Sequence, residues 1–260
     1  MLPRLQLFEF NDAPWAPRVL RETVIEALSL TLDKARVLQP LVGPFREFLE
    51  ASKASTVIDL AAGAGGPARI FLRELAAANV PLPRFVLTDL FPAIEPWAAL
   101  KAELPEAIDF VAESVDATAI PPTLKGARLI INALHHFPPE LAKKVVLGAC
   151  EGAPGVFIAE GLVRNPLSFA AMAPAGVSAL MLSPLRSKHD AWVRAVLTWF
   201  TPIALLASMW DGTVSTFRCY TEAELREMVA PLGDSWTWTF GEFQFNALGR
   251  GTWFSGVPRC

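Results

Sequence analysis

Five short runs of β-branched and apolar residues, separated by segments with helical periodicity, constrain the fold most strongly. The runs cover residues 55–60, 84–88, 108–111, 127–131 and 156–159. Such runs are typical of buried strands, and helical segments separate most of them. Strands that alternate with crossover helices form a parallel sheet with helices on both faces. The sequence therefore predicts an α/β fold with a mostly parallel sheet.

The two ends of the chain depart from this alternation. Residues 18–38 and 44–52 have helical periodicity, and Pro40 is expected to end the first helix. Residues 236–245 and 251–257 are rich in aromatic residues, which favour strands, and the short connection between them predicts an antiparallel hairpin. We therefore expect the C-terminal end of the chain to add an antiparallel pair of strands to the parallel sheet.

Length and composition narrow the class of protein. A chain of 260 residues suits one large α/β domain, so we predict a single domain over 1–260 with an N-terminal helical cap over 1–53. A net charge of −3 without clusters of Lys and Arg argues against nucleic-acid binding. Three cysteines without metal-ligand spacing, and an N-terminus without a secretory pattern, predict a cytoplasmic protein and no metal centre.

Residues 164–212 contain two long segments without charge, 165–185 and 195–210. A membrane-spanning helix needs about 20 apolar residues; the first segment reaches that length only with its prolines included, and the second is shorter. We predict a helical hairpin that folds over the sheet edge as a lid, with contact to a membrane surface as an alternative. Asp211 and Gly212 are expected to form a turn after the second helix.

A polar residue stands at or just beyond the end of each of the five predicted strands. Because ligands bind at the carboxyl edge of open parallel sheets, these side chains are expected to form one site. Each of them alone could instead cap a loop, but five at consecutive strand ends favour a binding site. The residues are Asp59, Asp89, Asp116, Asn132 and Glu160.

A glycine-rich turn, residues 63–68, follows the first strand and matches the loose pattern Gly-x-Gly-x-x-Gly/Ala. Glycines there let a ligand approach the backbone, and the next helix N-terminus favours an anion. The turn alone suits NAD as well as the carboxylate of S-adenosylmethionine. Asp59 could bond an amino group of the ligand, Asp89 its ribose hydroxyls and Asp116 an adenine amino group.

Four segments resemble the motifs of the class I S-adenosylmethionine-dependent methyltransferases. Residues 57–65 are similar to the first motif, 87–90 to the second, 115–117 to the adenine loop and 132–137 to the segment after the fourth strand of small-molecule methyltransferases. The elements 11–21 and 210–215 resemble those of a bacterial small-molecule branch of this family.

The resemblance implies a Rossmann-like fold with S-adenosylmethionine as cofactor and S-adenosylhomocysteine as product. This chain departs from the family in having Ala61 at a position where glycine is common, and its methyl group narrows the approach to the cofactor. The implied cofactor-binding residues are Asp59, Ala61, Gly63, Gly65, Asp89, Leu90, Asp116, Ala117 and Asn132.

The implied reaction is methyl transfer to a small molecule. The uncharged segments of 164–212 favour an apolar acceptor, such as a polyketide, a quinone-like compound, a terpenoid or a lipid. A hydroxyl nucleophile needs a base, and His136 and His135 are the candidates; in the alternative interpretation both are structural. Two other functions stay open at this point. They are an NAD(P)-dependent oxidoreductase, and a non-catalytic membrane-associated protein that keeps the cofactor fold.

Overall fold

The computed structural model describes residues 2–13, 15–186 and 189–259. The chain divides into two compact units. The sheet unit consists of Leu38–Gly161, Thr221–Phe243 and Gly251–Cys260, and the helical unit of Met1–Val37, Leu162–Tyr220 and Gln244–Arg250. The predicted cap over 1–53 is thus divided between the units, and the single domain over 1–260 stays a prediction. Pro14, part of the element 11–21, lies outside the described residues.

Seven strands of the described residues form one sheet in the order β3-β2-β1-β4-β5-β7-β6. Strands β1 to β5 pair in parallel, and β7 runs antiparallel to β5. The predicted α/β fold with an antiparallel C-terminal pair is therefore confirmed. The strands are β1 Thr56–Leu60, β2 Arg84–Thr88, β3 Ile108–Phe110, β4 Ala127–Ile131, β5 Val156–Glu160, β6 Trp236–Gln244 and β7 Arg250–Pro258.

Ten α-helices of the described residues complete the two units. In chain order they are α1 Arg18–Lys34, α2 Val42–Ser52, α3 Gly66–Ala77, α4 Ile94–Glu103, α5 Pro139–Cys150, α6 Pro166–Ala170, α7 Ala173–Arg186, α8 Ala191–Ala195, α9 Ile203–Arg218 and α10 Glu222–Val229. A π-helical turn, Val196–Phe200, continues α8. The prediction that Pro40 ends the first helix is wrong, because α1 ends at Lys34 and Arg36 adopts a left-handed φ of 49°.

The sheet unit is held by a buried aromatic cluster. Phe45 of α2 lies with its ring centroid 4.7 Å from that of Phe71 in α3 and 5.2 Å from that of Phe157 in β5. All residues of β4 and β5 are buried, as expected for parallel strands covered on both faces. This packing fixes the strands, and their carboxyl ends become a rigid edge from which loops can present functional groups.

The helical unit packs α1 against α7 and α9. Leu20, Val24 and Ala27 of α1 meet small and branched side chains of the other two helices in one buried cluster. The predicted two-helix hairpin over 164–212 is wrong in detail, since the segment forms α6, α7, α8 with its π-helical turn, and most of α9. No single helix among the described residues is long and apolar enough to cross a membrane; Ala191–Phe200 and Ile203–Arg218, bent by 78°, pass that test only as a pair.

The turn expected at Asp211 and Gly212 is also wrong, because both residues lie inside α9. A Cβ on Gly212 would lie 2.1 Å from the ring of Phe169, so the glycine serves close packing of α6 on α9. The Asp211 carboxylate accepts the backbone N–H groups of Phe10 and Asn11 at 2.7 and 3.1 Å. This buried acid therefore anchors the N-terminal segment within the helical unit.

Candidate functional site

The strand register brings the polar strand ends of the sheet unit to one edge. Asp59 in β1 lies opposite Leu87 of β2 and Leu129 of β4. Asp89 directly follows β2, and Asn132 directly follows β4. The predicted convergence at the carboxyl edge therefore follows from the parallel pairing itself.

The glycine-rich turn after β1 depends on left-handed backbone conformations. Ala61, Gly63 and Gly65 have φ values of 62°, 53° and 81°. A Cβ on Gly63 would meet no atom within 4 Å, whereas one on Gly65 would lie 3.1 Å from the Leu87 side chain. Gly63 thus leaves open space for a ligand beside the backbone, and Gly65 permits close packing under the turn.

Trp97 of α4 holds this turn from below, a role that the sequence reasoning missed. Its side chain is fully buried, and its indole N–H donates to the carbonyl oxygen of Gly63 at 2.8 Å. A tryptophan in a helix between the second and third strands gives no sequence signal of this contact. Its only hint is the need of a buried indole for an acceptor.

Asp89 ties the end of β2 to the glycine-rich turn. One carboxylate oxygen accepts the N–H of Gly63 at 2.9 Å, and the other accepts the N–H of Phe91 at 2.9 Å. The side chain stays partly exposed. Because each carboxylate oxygen has more than one lone pair, Asp89 keeps the capacity to accept hydroxyl groups of a ligand.

Asp59 is the most unusual group at this edge. It is 1% exposed, and its Oδ2 has no hydrogen-bond partner among the described residues. Burial, with a smaller contribution from the negative charge of Asp89, raises the pKa of Asp59 to about 8. A buried carboxyl group with an unsatisfied oxygen is costly to the folded state, and such groups occur where a ligand supplies the missing partner.

The predicted adenine loop is joined to the end of β2. Val115 donates its N–H to the carbonyl oxygen of Asp89 at 2.9 Å, and the Ser114 hydroxyl donates to that of Leu90 at 2.7 Å. Asp116 is exposed, and Ala117 is partly buried beside it. The backbone N–H of Thr118, 2.7 Å from Asp116 Oδ1, is the main cause that lowers the pKa of this carboxyl group.

The ends of β4 and β5 are connected through polar side chains. Asn132, with a φ of 52°, accepts the N–H of Gly161 at 2.6 Å. His135 is buried, its Nδ1 lies 2.7 Å from Glu160 Oε2, and its backbone N–H donates to the other Glu160 oxygen at 3.1 Å. The ring of His136, which is partly buried, has its centroid 4.2 Å from that of His135.

These contacts sort the predicted residues into two groups. Asp59, Gly63, Asp89 and Leu90 lie at the ends of β1 and β2, and backbone bonds attach Asp116 and Ala117 to them. Asn132 and His135 belong instead to the β4–β5 side. The role of Glu160 as the partner of His135 was missed, since no spacing connects residues 25 positions apart. Ligand binding by either group stays a prediction.

The residues at the ends of β1 and β2 fit a cofactor that contains an amino group, a ribose and a nucleobase. The orphaned oxygen of Asp59 needs a donor, the Asp89 carboxylate can accept hydroxyl groups, and the open space at Gly63 admits a ligand against the backbone. This donor and acceptor set matches the expectation for S-adenosylmethionine from the sequence motifs.

No family model and no curated protein sequence matches this chain. Solved structures do. The plantazolicin methyltransferase BpumL, described in complex with S-adenosylhomocysteine, is 10% identical, with a TM-score of 0.53 over 93% of this chain and 98% of that one. An O-methyltransferase family 2 protein from Planctomyces limnophilus, in complex with apigenin, is 14% identical, with a TM-score of 0.50 over 95% and 67%.

An O-methyltransferase family protein from Burkholderia thailandensis is 16% identical, with a TM-score of 0.48 over 86% of this chain. The chain spans only 57% of the length of that protein. The sequence identities to BpumL and to the Planctomyces limnophilus protein are low, so the structural similarity shows the fold alone. That fold is the one of the class I methyltransferases. The resemblance seen in the sequence motifs is thereby confirmed for the fold.

Proposed function

We propose that this chain, which has the fold of the class I methyltransferases, transfers the methyl group of S-adenosylmethionine to an apolar small molecule. The observation that carries the proposal is Asp59, a buried carboxyl group with an unpartnered oxygen beside the open glycine-rich turn. The antiparallel β7 beside β5 also favours this function over an NAD(P)-dependent oxidoreductase, because the usual dinucleotide fold has no such strand.

The proposed cofactor lies along the carboxyl edge of β1 and β2. In this proposal Asp59 accepts a hydrogen bond from the ammonium group, Asp89 accepts hydrogen bonds from the ribose hydroxyls, and Asp116 accepts one from the adenine amino group. The backbone at Gly63 faces the ligand. Leu90, Ala117 and Asn132 complete the proposed site. BpumL, a neighbour with the same fold, is described in complex with S-adenosylhomocysteine, which supports this choice of cofactor.

In the proposed reaction a bond forms between the acceptor atom and the methyl carbon, and the carbon–sulfur bond breaks with its electron pair left on sulfur. The protein aligns the acceptor and excludes water. An acceptor hydroxyl also loses its proton, for which we propose His136 as the base and His135 as the second candidate. The Nδ1 atom of His135 lies 2.7 Å from Glu160 Oε2, and this contact orients the imidazole of the second candidate.

The apolar character of the acceptor rests on residues 164–212. Trp192 and Phe200 are 74% and 79% exposed, and Trp199, Leu206 and Met209 are exposed as well. Exposed apolar clusters of this kind mark contacts with ligands, membranes or partners. We propose that this segment acts as a lid over the acceptor, and that O- or C-methylation of a polyketide, quinone-like compound, terpenoid or lipid is the reaction. The described complex of the Planctomyces limnophilus protein with apigenin, a neighbour with this fold, is consistent with an aromatic acceptor.

The first test is calorimetric titration of the full chain with S-adenosylhomocysteine and, separately, with NADH. Saturable binding of the former alone supports the proposal, and binding of NADH alone overturns it. Transfer of labelled methyl groups to a panel of phenols, quinols and isoprenoids then tests the activity. A chain that binds S-adenosylhomocysteine and lipid vesicles but methylates no member of the panel would favour the non-catalytic alternative.

The lid is tested by Trp199→Asp, with Leu248→Asp as the matched control. Trp199 is 47% exposed in the proposed lid, and Leu248 is 68% exposed outside residues 164–212. We expect the Trp199 variant to lose most acceptor turnover while it keeps its affinity for S-adenosylhomocysteine. Equal turnover in both variants would refute the proposal that residues 164–212 act as a lid. Vesicle sedimentation of the same two variants tests the alternative, in which the protein is cytoplasmic and residues 164–212 contact the surface of a membrane.

A further inference from the structure

A cleft of about 590 Å³ lies on the sheet unit next to Asp116 and Ala117, and none of the residues assigned to the cofactor lines it. Its walls come from residues 118–122 after the predicted adenine loop, from the beginning of β4, and from one side of α5 together with the two residues that follow this helix. Small-molecule sites commonly measure about 300–1,000 Å³, so the cleft is large enough for a ligand.

The charged side chains that line this cleft are predominantly cationic. Four cations face two carboxylates, which leaves two positive charges in excess; the cations are Lys125, Arg128, Lys143 and Lys144, and the carboxylates are Glu140 and Glu151. Within the described part of the chain, none of the four cations forms a salt bridge. Lys144 also acts at a distance on Asp116, whose pKa it helps to lower.

Arg128 is the buried member of these four cations. The side chain is 3% exposed, Nη1 donates to the Gly126 carbonyl oxygen at 3.0 Å, and Nη2 donates to that of Leu124 at 2.8 Å. Its buried Nε has no acceptor among the residues that the structure describes. Burial lowers the pKa of the guanidinium, and no carboxylate opposes that effect. Buried charges are ordinarily paired, so this guanidinium favours an anion in the cleft.

We propose that this cleft binds the phosphoryl group of a small soluble molecule between Lys143 and Lys144, in the field of Arg128. A phosphate monoester carries about −1.5 to −2 charges at pH 7, which matches the excess of two positive charges. Lysine binds phosphate as a point charge, and the apolar side chains of Ile120 and Leu147 offer a surface for the rest of the ligand.

The test is calorimetric titration of the full chain with inorganic pyrophosphate at a fixed 150 mM NaCl, an ionic strength chosen to screen weak surface attraction (Debye length about 8 Å). The wild-type chain should bind one pyrophosphate saturably. The double variant Lys143→Gln/Lys144→Gln should bind at least tenfold more weakly. Lys34→Gln/Lys53→Gln removes the same charge from outside the cleft and should keep wild-type affinity.

Arg128→Met provides a second measurement, because a neutral side chain of similar length removes the buried charge and circular dichroism reports whether the fold persists. A folded Arg128 variant should also bind pyrophosphate more weakly. The proposal is overturned by the absence of saturable binding, or by equal losses in the two double variants. Retention on phosphatidylglycerol vesicles that excess pyrophosphate fails to reverse would overturn the soluble ligand in favour of a lipid headgroup.

Discussion

The stability of the ligand-free protein should depend on pH through Asp59. Its pKa in the folded chain is about 8, against an ordinary value of 3.8, because burial and the charge of Asp89 disfavour the carboxylate. Between these two values the folded state holds a proton that the unfolded state has lost. Stability therefore falls as pH rises, by about 1.4 kcal/mol per pH unit, and levels off above the folded pKa.

The expected magnitude follows from the two pKa values. From pH 6 to pH 9 the unfolded chain has already lost the Asp59 proton, whereas the folded chain retains it until about pH 8. The Asp59 contribution to the free energy of unfolding should thus drop by about 2.5–3 kcal/mol over this range. Asp59→Asn keeps the shape of the side chain without titrating, so the difference between wild type and variant isolates the effect.

Urea unfolding of both proteins at pH 6, 7, 8 and 9, without S-adenosylhomocysteine, measures this difference. Asp109→Asn serves as the control, because the hydrogen bond from Lys101 is the main cause that lowers the pKa of Asp109, so its contribution is constant above pH 6. A difference between wild type and Asp59→Asn that stays flat from pH 6 to pH 9 would refute the reasoning. It would mean that Asp59 is ionised in the folded chain at neutral pH.

Three further predictions concern the same edge of the sheet. Ala61→Gly should stabilise the chain by about 0.5–1 kcal/mol in urea unfolding, since relief of the left-handed φ outweighs the greater entropy of unfolded glycine; a destabilised variant would contradict this. Asp89→Ala should weaken the binding of S-adenosylhomocysteine, measured by calorimetry, by a hundredfold or more, since charge-assisted hydrogen bonds contribute roughly 1.5–3 kcal/mol each. Unchanged affinity would show that Asp89 is not part of the site. Asp116→Ala should weaken the same ligand less and lower the affinity for adenosine; loss of affinity for methionine fragments instead would show that the loop is misplaced.

The parallel part of the fold could be predicted closely because its signals are local. β-branched runs such as 84–88 and 127–131 became strands with the predicted bounds, since the strands of a covered parallel sheet form largely apolar runs. The position of β7 between β5 and β6 could not be predicted. A hairpin signal gives the pairing of its two strands, but which of them pairs with the sheet depends on packing between distant parts of the chain.

The errors in the helical unit have a similar origin. Asp-Gly is a frequent turn sequence, yet at residues 211–212 the glycine admits the ring of Phe169 and the aspartate accepts two N–H groups from the N-terminal segment. Both partners lie more than 40 positions away in sequence. Local propensity was overridden by tertiary contacts that no pattern around residue 211 reveals.

The candidate site shows the same division between local and distant information. The positions of Asp59, Asp89 and Asn132 follow from counting strand ends, whereas their partners do not. The contacts of Trp97 with Gly63 and of Glu160 with His135 join residues 34 and 25 positions apart in the sequence. A search for acids at strand ends thus finds the groups that could meet a ligand, and only the folded chain identifies the side chains that hold them in place.

The cost of burying Asp59 is itself an argument for a ligand. A core position that served only stability would carry an apolar side chain, as Ile58 and Leu60 do on either side of it in β1. A ligand ammonium group that bonds the orphaned oxygen would restore the pKa of Asp59 toward its ordinary range, because an opposite charge favours the carboxylate. Binding near pH 7 would then release a proton and regain the stability lost to burial. The carboxyl group whose burial is costly in the ligand-free chain is therefore the one expected to be stabilised by the cofactor.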